Sequence, residues 1–277
     1  MQSPCTLACN IAKALGYSPE KGVDGSPRCW TTLSYSVTDT SESDTGHFQF
    51  IMRPELIEAL SSMAWIKPLQ NRVNPYSDIE ASSSRGTMMG NRRVLHNSDK
   101  VIVRKWSGHR WLYCLLECDG IKRELMSPRF YTELFFLDEA TALSAGHRPC
   151  SSCLPKKVKD FRTKWLAANS CNYELPNSDL VSIDNIIHSE RIDQNDCQVN
   201  YLAKAIEQPD GVFIEMDGKP YLKWKNRLLE WSHAGYISGQ DIANDLDVKV
   251  LTPKSLVRCI DGGFTPDVHD TASKYCS

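Results

Sequence analysis

The chain has 277 residues, of which 41% are hydrophobic and 24% charged, and its formal net charge at pH 7 is −2. This length is sufficient for a substantial hydrophobic core, and the near-neutral charge excludes a uniformly polybasic or polyacidic protein. Since no apolar run approaches the ~20 residues of a membrane span, we predict neither a spanning helix nor a membrane partner.

The N-terminal region is weakly patterned. TTLSYSVTDTSESDTG, residues 31–46, predicts a strand followed by a loop. PELIEALSSMA, residues 54–64, has apolar residues at helical spacing and a proline at a permitted first-turn position. Residues 71–86, NRVNPYSDIEASSSRG, contain many turn-forming residues and predict a linker or long loop. We therefore predict an N-terminal extension, residues 1–80, of unknown role.

The central segment, residues 85–170, is predicted to begin with strands. VIVRKW, residues 101–106, and RWLYCLLEC, residues 110–118, are rich in β-branched or aromatic residues. A turn signal, Ser107-Gly108, separates them. Two short helices are predicted to follow. Asp138 can cap EATALSA, which a glycine ends, and the second helix starts near Pro155.

The remainder, residues 171–277, is predicted to be rich in strands. QVNYLAKAI, residues 198–206, indicates a helix, whereas residues 211–231 predict a β-meander with turns at Asp217-Gly218 and Lys225-Asn226. DVKVLTP predicts a further strand, and KSLVRCIDGG predicts a short helix with a glycine stop. The predicted class is α+β, with mixed strands and short helices and a β-rich C-terminal part.

Eleven cysteines are the unusual feature of the composition. The beginning of the chain, MQSPCTLACNIAKALGY, lacks a basic region followed by an apolar core, so no secretory signal is expected. An odd cysteine count without such a signal argues against a disulfide framework. We therefore expect a cytoplasmic protein whose paired cysteines are metal ligands or redox groups and whose scattered cysteines are free thiols.

Four of the cysteines form two short-spaced pairs in the central segment. Cys114 and Cys118 have three residues between them, and Cys150 and Cys153 have two. Two such pairs suit tetrahedral zinc, because each pair spans one edge of the tetrahedron. The proline before Cys150 predicts a rigid knuckle whose backbone N–H groups can donate hydrogen bonds to sulfur. The sequence therefore predicts a zinc site.

The residues leave several alternatives open at this site. The fourth ligand can be Cys118, His147 or His109. His147 can complete a Cys3His site, or it can be a basic side chain favoured at a helix end. A redox dithiol is a competing interpretation, although such a dithiol usually opens a helix in a βαβ context. A third interpretation is that the cysteine pairs are unrelated buried thiols.

Positive charge is concentrated around these cysteines. Residues 85–165 contain sixteen Lys and Arg but eight Asp and Glu. This asymmetry indicates a surface that faces DNA or another nucleic acid, or a solvated basic face without a partner. Five residues are the candidate contacts: Arg92, Arg93, Arg148, Lys156 and Lys157.

FFLDEATALSAGHRPCSSC, residues 135–153, resembles the second cysteine half of the metal-binding N-terminal domain of the Ada DNA-repair proteins. The shared features are an aromatic pair, an acidic residue opening a short Ala-rich helix, and the sequence Arg-Pro-Cys-x-x-Cys. The segment is also similar to a set of uncharacterised bacterial proteins that share YTELFFLDEATAL and the Gly-His-Arg-Pro-Cys turn. His147 stands where the Ada family has an aromatic residue.

The Ada resemblance implies both a metal and a reaction. It implies that Cys114, Cys118, Cys150 and Cys153 bind zinc. It further implies that Cys114 is the catalytic nucleophile, which accepts a methyl group from a methylated DNA phosphate. Neither a helix-turn-helix nor the alkyltransferase Pro-Cys-His-Arg motif follows in this chain.

Three functional hypotheses remain. The first is a zinc-dependent nucleic-acid-binding protein that accepts alkyl groups on Cys114. The second is an enzyme of another class with a purely structural zinc, whose acid/base groups can come from His188, Glu190, Arg191 and Asp184. The third is a non-catalytic protein-interaction module. The sequence specifies neither the substrate nor the oligomeric state.

Overall fold

The computed structural model describes residues 68–117, 124–175 and 179–276. They belong to a compact unit, Ala64–Ser277. The chain from Met1 to Met63 groups as a separate unit and lies outside the described residues, as does the helix predicted at residues 54–64. In the described part, strands and helices are both present, so the predicted α+β class is confirmed. None of its helices has the length and hydropathy of a membrane span.

The first sheet has six strands in the order β2-β1-β5-β3-β4-β6. Strand β1 pairs with β5 and β4 pairs with β6 in parallel, and the remaining pairs are antiparallel. This sheet contains the strand that carries Cys114 and the strand that leads into Cys150. Its strands are β1 (Gln70–Val73), β2 (Ile79–Ala81), β3 (Met88–Asn91), β4 (Leu112–Leu115), β5 (Leu134–Phe136) and β6 (Arg148–Pro149).

The second sheet has six antiparallel strands in the order β11-β10-β9-β8-β12-β7. The turns at Asp217-Gly218 and Lys225-Asn226 have positive φ at both central residues, as tight hairpins require. The predicted meander is therefore confirmed. The strands are β7 (Tyr201–Lys204), β8 (Phe213–Met216), β9 (Lys219–Trp224), β10 (Arg227–Ser232), β11 (Gly235–Asp241) and β12 (Asp247–Val250).

Two helices begin where the sequence predicted, at Asp138 and Pro155, whereas the helix capped by Asp179 was not predicted. The Asp138 side chain accepts a hydrogen bond from Thr141 N, and Asp179 accepts one from Ser182 N. Pro155 occupies the first turn of the longest helix. The α-helices are α1 (Glu139–Ser144), α2 (Pro155–Asn169), α3 (Leu180–Arg191) and α4 (Lys254–Asp261), with two 3₁₀ helices at Ala205–Glu207 and Asp270–Tyr275.

One hydrophobic cluster contains residues from both sheets. Leu134 and Phe136 of β5 belong to it, as do Ile214 of β8 and Val250 of β12. Helix α2 packs against α4 and contributes the fully buried Trp165. Residues on both sides of the predicted boundary at position 170 therefore share this core.

Three predicted elements differ from the structure. Residues 101–106 belong to neither sheet, and of these six residues only Ile102 makes an isolated β-bridge, to His96. Residues 71–86, predicted as a linker, contain most of β1 and all of β2. The predicted helix at residues 198–206 is strand β7 followed by a 3₁₀ turn, because β12 offers a pairing edge that local propensity does not reveal.

Candidate metal centre

Strand β4 carries the first predicted metal ligand into the first sheet. Cys114 pairs with Met89 of β3, and it is 6% exposed. On its other side, β4 runs parallel to β6, which leads directly into Cys150. The backbone N–H of Cys150 donates to the Tyr113 carbonyl oxygen at 2.9 Å. Sheet pairing therefore brings together two cysteine segments that are more than thirty residues apart in the sequence.

The second pair lies in a tight turn between β6 and α2. The N–H of Leu154 donates to the Cys150 carbonyl oxygen at 3.0 Å. The pKa of Cys150 is lowered by a hydrogen bond from the Cys114 thiol and by the backbone N–H groups of Cys153 and Ser152. The same hydrogen bond and burial raise the pKa of Cys114. This turn thus favours a thiolate at Cys150, as expected of a metal-binding knuckle.

Three sulfur atoms converge at this point. The Sγ atoms of Cys114, Cys150 and Cys153 all lie within 4.8 Å of one another. With Zn–S bonds of ~2.3 Å, neighbouring sulfurs of a tetrahedral site lie about 3.8 Å apart. The observed cluster is therefore compatible with a common metal ion, and it is the only group of three or more metal-ligating side chains found in the described residues.

The candidates for a fourth ligand are placed differently. Cys118 lies outside the described residues. His147 is fully buried beside the Phe136 ring, and its Nε2 accepts a hydrogen bond from Arg92 Nε at 3.2 Å. The lone pair that a metal would need is therefore already used. His109 is exposed, and its ring stacks on that of His188 at a centroid distance of 4.0 Å.

Burial also lowers the pKa of His147 well below its ordinary value, and the neighbouring charges of Arg92 and Arg191 lower it further. The imidazole is therefore neutral in the folded protein. It acts as an uncharged hydrogen-bond acceptor in the core, and not as the basic helix-end residue that the sequence also allowed.

Two of the five predicted nucleic-acid contacts are buried. Arg92 is 1% exposed and donates to the Ser77 backbone oxygen at 3.0 Å. Arg148 is 3% exposed and makes a bidentate ion pair with Asp184, at 2.6 and 2.8 Å. As placed, neither guanidinium faces solvent, so neither lies where a phosphate on a partner molecule could reach it.

The other three predicted contacts lie nearer the surface. Arg93 and Lys156 are exposed. Lys157 is partly buried, and its ammonium is paired with Glu139 and Asp267. The available basic surface thus includes Arg93 and Lys156, whereas the charge of Lys157 is already neutralised within the protein.

The proposed acid/base group on α3 does not converge on one point. Asp184 is paired with Arg148. Glu190 accepts hydrogen bonds from the backbone N–H and hydroxyl of Ser255 at the start of α4. These contacts fasten α3 to its neighbours and direct the two carboxylates to different partners.

A cluster of two arginines around Trp111 was not predicted from the sequence. The guanidinium carbons of Arg92 and Arg191 lie 4.0 and 3.5 Å from the Trp111 ring centroid. Arg191 also donates to the backbone oxygens of Gly146 and His109. No local signal marks such a cluster, because its members come from four separate segments.

The remaining described cysteines are free thiols. Cys171 and Cys197 are exposed, Cys259 is buried and Cys276 is partly buried. Burial raises the pKa of Cys259 to about 12, so it is an inert core thiol.

No protein-family model, no curated protein and no solved structure matches the chain.

Proposed function

We propose that this chain is a zinc-binding protein whose metal fastens β4 to the knuckle before α2. The supporting observation is the convergence of the sulfurs of Cys114, Cys150 and Cys153. Cys118 is the proposed fourth ligand, because its spacing from Cys114 suits the same site and Nε2 of His147 is engaged by Arg92. Bound zinc would keep these sulfurs deprotonated.

Zinc is the favoured metal on the chemistry of the donor set. Thiolate sulfurs select soft or borderline metals, and four-cysteine zinc sites are usually structural. Two of the three described sulfurs belong to buried residues, which suits a closed site without an open coordination position. A redox dithiol needs only two sulfurs, so the third supports the metal over the dithiol.

Metal analysis of the purified protein tests this proposal. We expect about one equivalent of zinc in the wild-type protein, and little in the Cys150→Ser variant. Loss of zinc should lower the free energy of unfolding by at least about 3 kcal/mol, because structural zinc contributes on the order of 10 kcal/mol in zinc-finger peptides. The Cys171→Ser variant is the matched control, since this exposed cysteine lies outside the cluster. Full zinc content in Cys150→Ser would contradict the proposal.

A second candidate function is contact with nucleic acid, including acceptance of an alkyl group by Cys114. It is supported by the positive charge of residues 85–165 and by exposed Lys156 and Lys159 on α2, which begins two residues after Cys153. In the reaction implied by the Ada resemblance, the Cys114 sulfur takes the methyl group from a methylphosphotriester, and a phosphate diester leaves. Alkyl transfer requires the methylated phosphate to reach the Cys114 sulfur, and Cys114 is only 6% exposed. Nucleic-acid contact does not depend on this access and is the broader of the two proposals.

Intact-mass measurement tests alkyl transfer, and a DNA-binding measurement tests nucleic-acid contact. After incubation with DNA that carries methylphosphotriesters, a gain of about 14 Da on wild-type protein, absent from Cys114→Ser, would support alkyl transfer. Incubation with unmethylated DNA is the control and should leave the mass unchanged.

A DNA-binding measurement tests nucleic-acid contact independently of the transfer. Salt-dependent binding that weakens in the double variant Lys156→Ala/Lys159→Ala supports this contact. Unchanged binding in that double variant would argue against this surface.

A further inference from the structure

Three aromatic rings from two segments of the chain meet at the protein surface. The imidazoles of His109 and His188 are stacked, with ring centroids 4.0 Å apart and an interplanar angle of 15°. The Trp106 ring packs edge-on against His188 at a centroid distance of 4.6 Å. His109 is exposed, and the other two rings are half-buried. We name these three rings the aromatic platform, and its exposed member offers the face turned away from His188 to a further planar group.

Hydrogen bonds hold two of these rings by their edges. Trp106 Nε1 donates to Asp196 Oδ1 at 2.9 Å, and His109 Nδ1 lies 2.8 Å from Asn185 Oδ1. An edge contact of this kind leaves the face of a ring free for stacking. Because the rings are fixed before a ligand binds, little side-chain entropy is lost on stacking. The platform is therefore preorganised for a planar ligand.

Two buried positive charges lie beside the platform. Arg191 Nη2 donates to His188 Nδ1 at 2.9 Å and to the His109 backbone oxygen at 2.7 Å. Arg92 and Arg191 both lie against the Trp111 ring. The acceptors of both guanidiniums are backbone oxygens, a hydroxyl and neutral imidazole nitrogens, so their charge is not cancelled by these contacts. Since buried charges are screened less than exposed ones, this pair contributes positive potential at the platform.

Exposed cations add to this potential. Lys105 and Arg110 flank the segment that carries two of the platform rings, and both are exposed. Arg93 is exposed as well and lies against the same segment, since a Cβ on Gly108 would be 3.2 Å from its Nε. The carboxylate of Asp196 accepts the indole hydrogen bond, and these cations outnumber it. The surface around the platform thus favours an anionic ligand.

We propose that this surface binds an unpaired nucleotide of a single-stranded nucleic acid. The base stacks on the outer face of His109, and the adjoining phosphates lie against Lys105, Arg110 and Arg93. A base inside a duplex has both faces covered by its neighbours, so this surface selects a single strand. An acidic peptide would match the charge but would leave the ring faces unused. The proposal refines the second candidate function and rests on nucleic-acid contact, but it requires neither zinc nor alkyl transfer.

Fluorescence anisotropy of a labelled oligothymidylate of roughly 12 nucleotides, titrated with the full chain at low salt, tests the stacking contact. We expect saturable binding that weakens at least about fivefold in His109→Ala, because one stacked base is lost. His109→Phe keeps a ring but loses the contact with Asn185, and it should bind like wild type. Equal losses in the two variants would show that the imidazole acts only through its hydrogen bond, which overturns stacking.

The salt dependence of the same titration tests the phosphate contact. Lys105→Ala should weaken binding and reduce the slope of log affinity against log salt by about 0.7, as expected for one lost phosphate contact on a single strand. Lys274→Ala is the matched control, an exposed lysine in the C-terminal 3₁₀ helix, and should leave the affinity and the slope unchanged. Equal effects of the two substitutions would indicate non-specific attraction and overturn this surface.

Competing ligands identify the form of nucleic acid. Binding of a duplex of the same length should be insensitive to His109→Ala, because its bases are not available for stacking. Thymidine 5′-monophosphate that competes as well as the oligonucleotide would overturn the assignment to a strand and indicate a free nucleotide.

The variants also separate this proposal from nucleic-acid contact in general. Oligonucleotide binding that is lost in Lys156→Ala/Lys159→Ala but unchanged in His109→Ala and Lys105→Ala would retain nucleic-acid contact and overturn the platform. Absence of binding of wild-type protein to both single strand and duplex would overturn both.

Discussion

At the residue scale, the most unusual feature is a pair of arginines buried beside an indole. Arg92 and Arg191 are both buried, and carbonyl oxygens and histidine nitrogens accept most of their hydrogen bonds. Burying a charge is costly unless its hydrogen bonds are satisfied. Trp111 lowers that cost through its ring face, and its Nε1 donates to the Gly108 oxygen at 2.9 Å.

His188, at the edge of this cluster, should make stability depend on pH. Burial, then the charges of Arg191 and His109, lower its pKa to about 4 from 6.5. Because the folded-state pKa is below the unfolded value, the unfolded chain takes up the proton first as pH falls. The stability contributed by neutral His188 is therefore complete above pH 6.5 and is lost as pH falls toward 4.

Replacing the imidazole should flatten this dependence. The free energy of unfolding of His188→Gln should fall less than that of wild type between pH 6.5 and about 4. Urea unfolding at several pH values measures the difference. The comparison at pH 8, where both side chains are neutral, isolates the effect on packing. Parallel pH profiles for the two proteins would contradict the expected titration.

At the element scale, α1 depends on its cap and on its surroundings. It has six residues, all buried, and a helix this short has little stability in isolation. Asp138 accepts hydrogen bonds from the N–H and hydroxyl of Thr141 at 2.8 and 2.7 Å, from Tyr236 OH at 2.7 Å and from His269 N at 3.0 Å. The cap therefore also joins α1 to β11 and to the C-terminal segment.

The two aspartate caps should differ in their contribution to stability. Asp138→Ala should lower the free energy of unfolding by about 3–5 kcal/mol, because it leaves several buried donors without an acceptor. Asp179→Ala, at the exposed cap of α3, should cost about 1 kcal/mol. Chemical denaturation of both variants measures the difference. Equal losses would show that burial of the Asp138 network adds nothing to ordinary capping.

Elements were predicted well where the signal is local. The hairpins of β8 to β10 follow from Asp-Gly and Lys-Asn turns, and the starts of α1 and α2 follow from Asp138 and Pro155. Residues 101–106 have the composition of a strand but form only one bridge, at Ile102. A strand forms only where a neighbouring strand pairs with it, and composition does not supply that neighbour.

At the scale of the whole unit, the shared core predicts cooperative unfolding. The core cluster joins β5 of the first sheet to β8 and β12 of the second. If one sheet opened alone, it would expose apolar side chains of the other. The unit from Ala64 to Ser277 is therefore expected to unfold in one step.

Hydrogen exchange at increasing denaturant concentrations measures this cooperativity. Amides of β3 to β5 and of β8 to β10 should become exchangeable at the same midpoint. Earlier exchange throughout the second sheet would instead indicate that residues 171–277 unfold independently. Terminal and loop amides are excluded from the comparison, because local fraying exposes them without global unfolding.

Features that depend on residues close together in the chain were predictable from the sequence: the α+β class, the hairpin turns, and the starts of α1 and α2 at Asp138 and Pro155. These features follow from backbone preferences and short spacings. The sequence also indicated zinc chemistry, since two short cysteine pairs lie in one segment. The assignments of Cys118 as a zinc ligand and of Cys114 as an alkyl acceptor remain predictions.

Which groups from distant parts of the chain meet depends on the tertiary fold. Pairing of β4 with β6 brings Cys114 to the turn that carries Cys150 and Cys153. Arg92 and Arg148 are buried, although their charge predicted a place on a basic surface. A charge count cannot distinguish an exposed arginine from one enclosed by an indole and carbonyl oxygens.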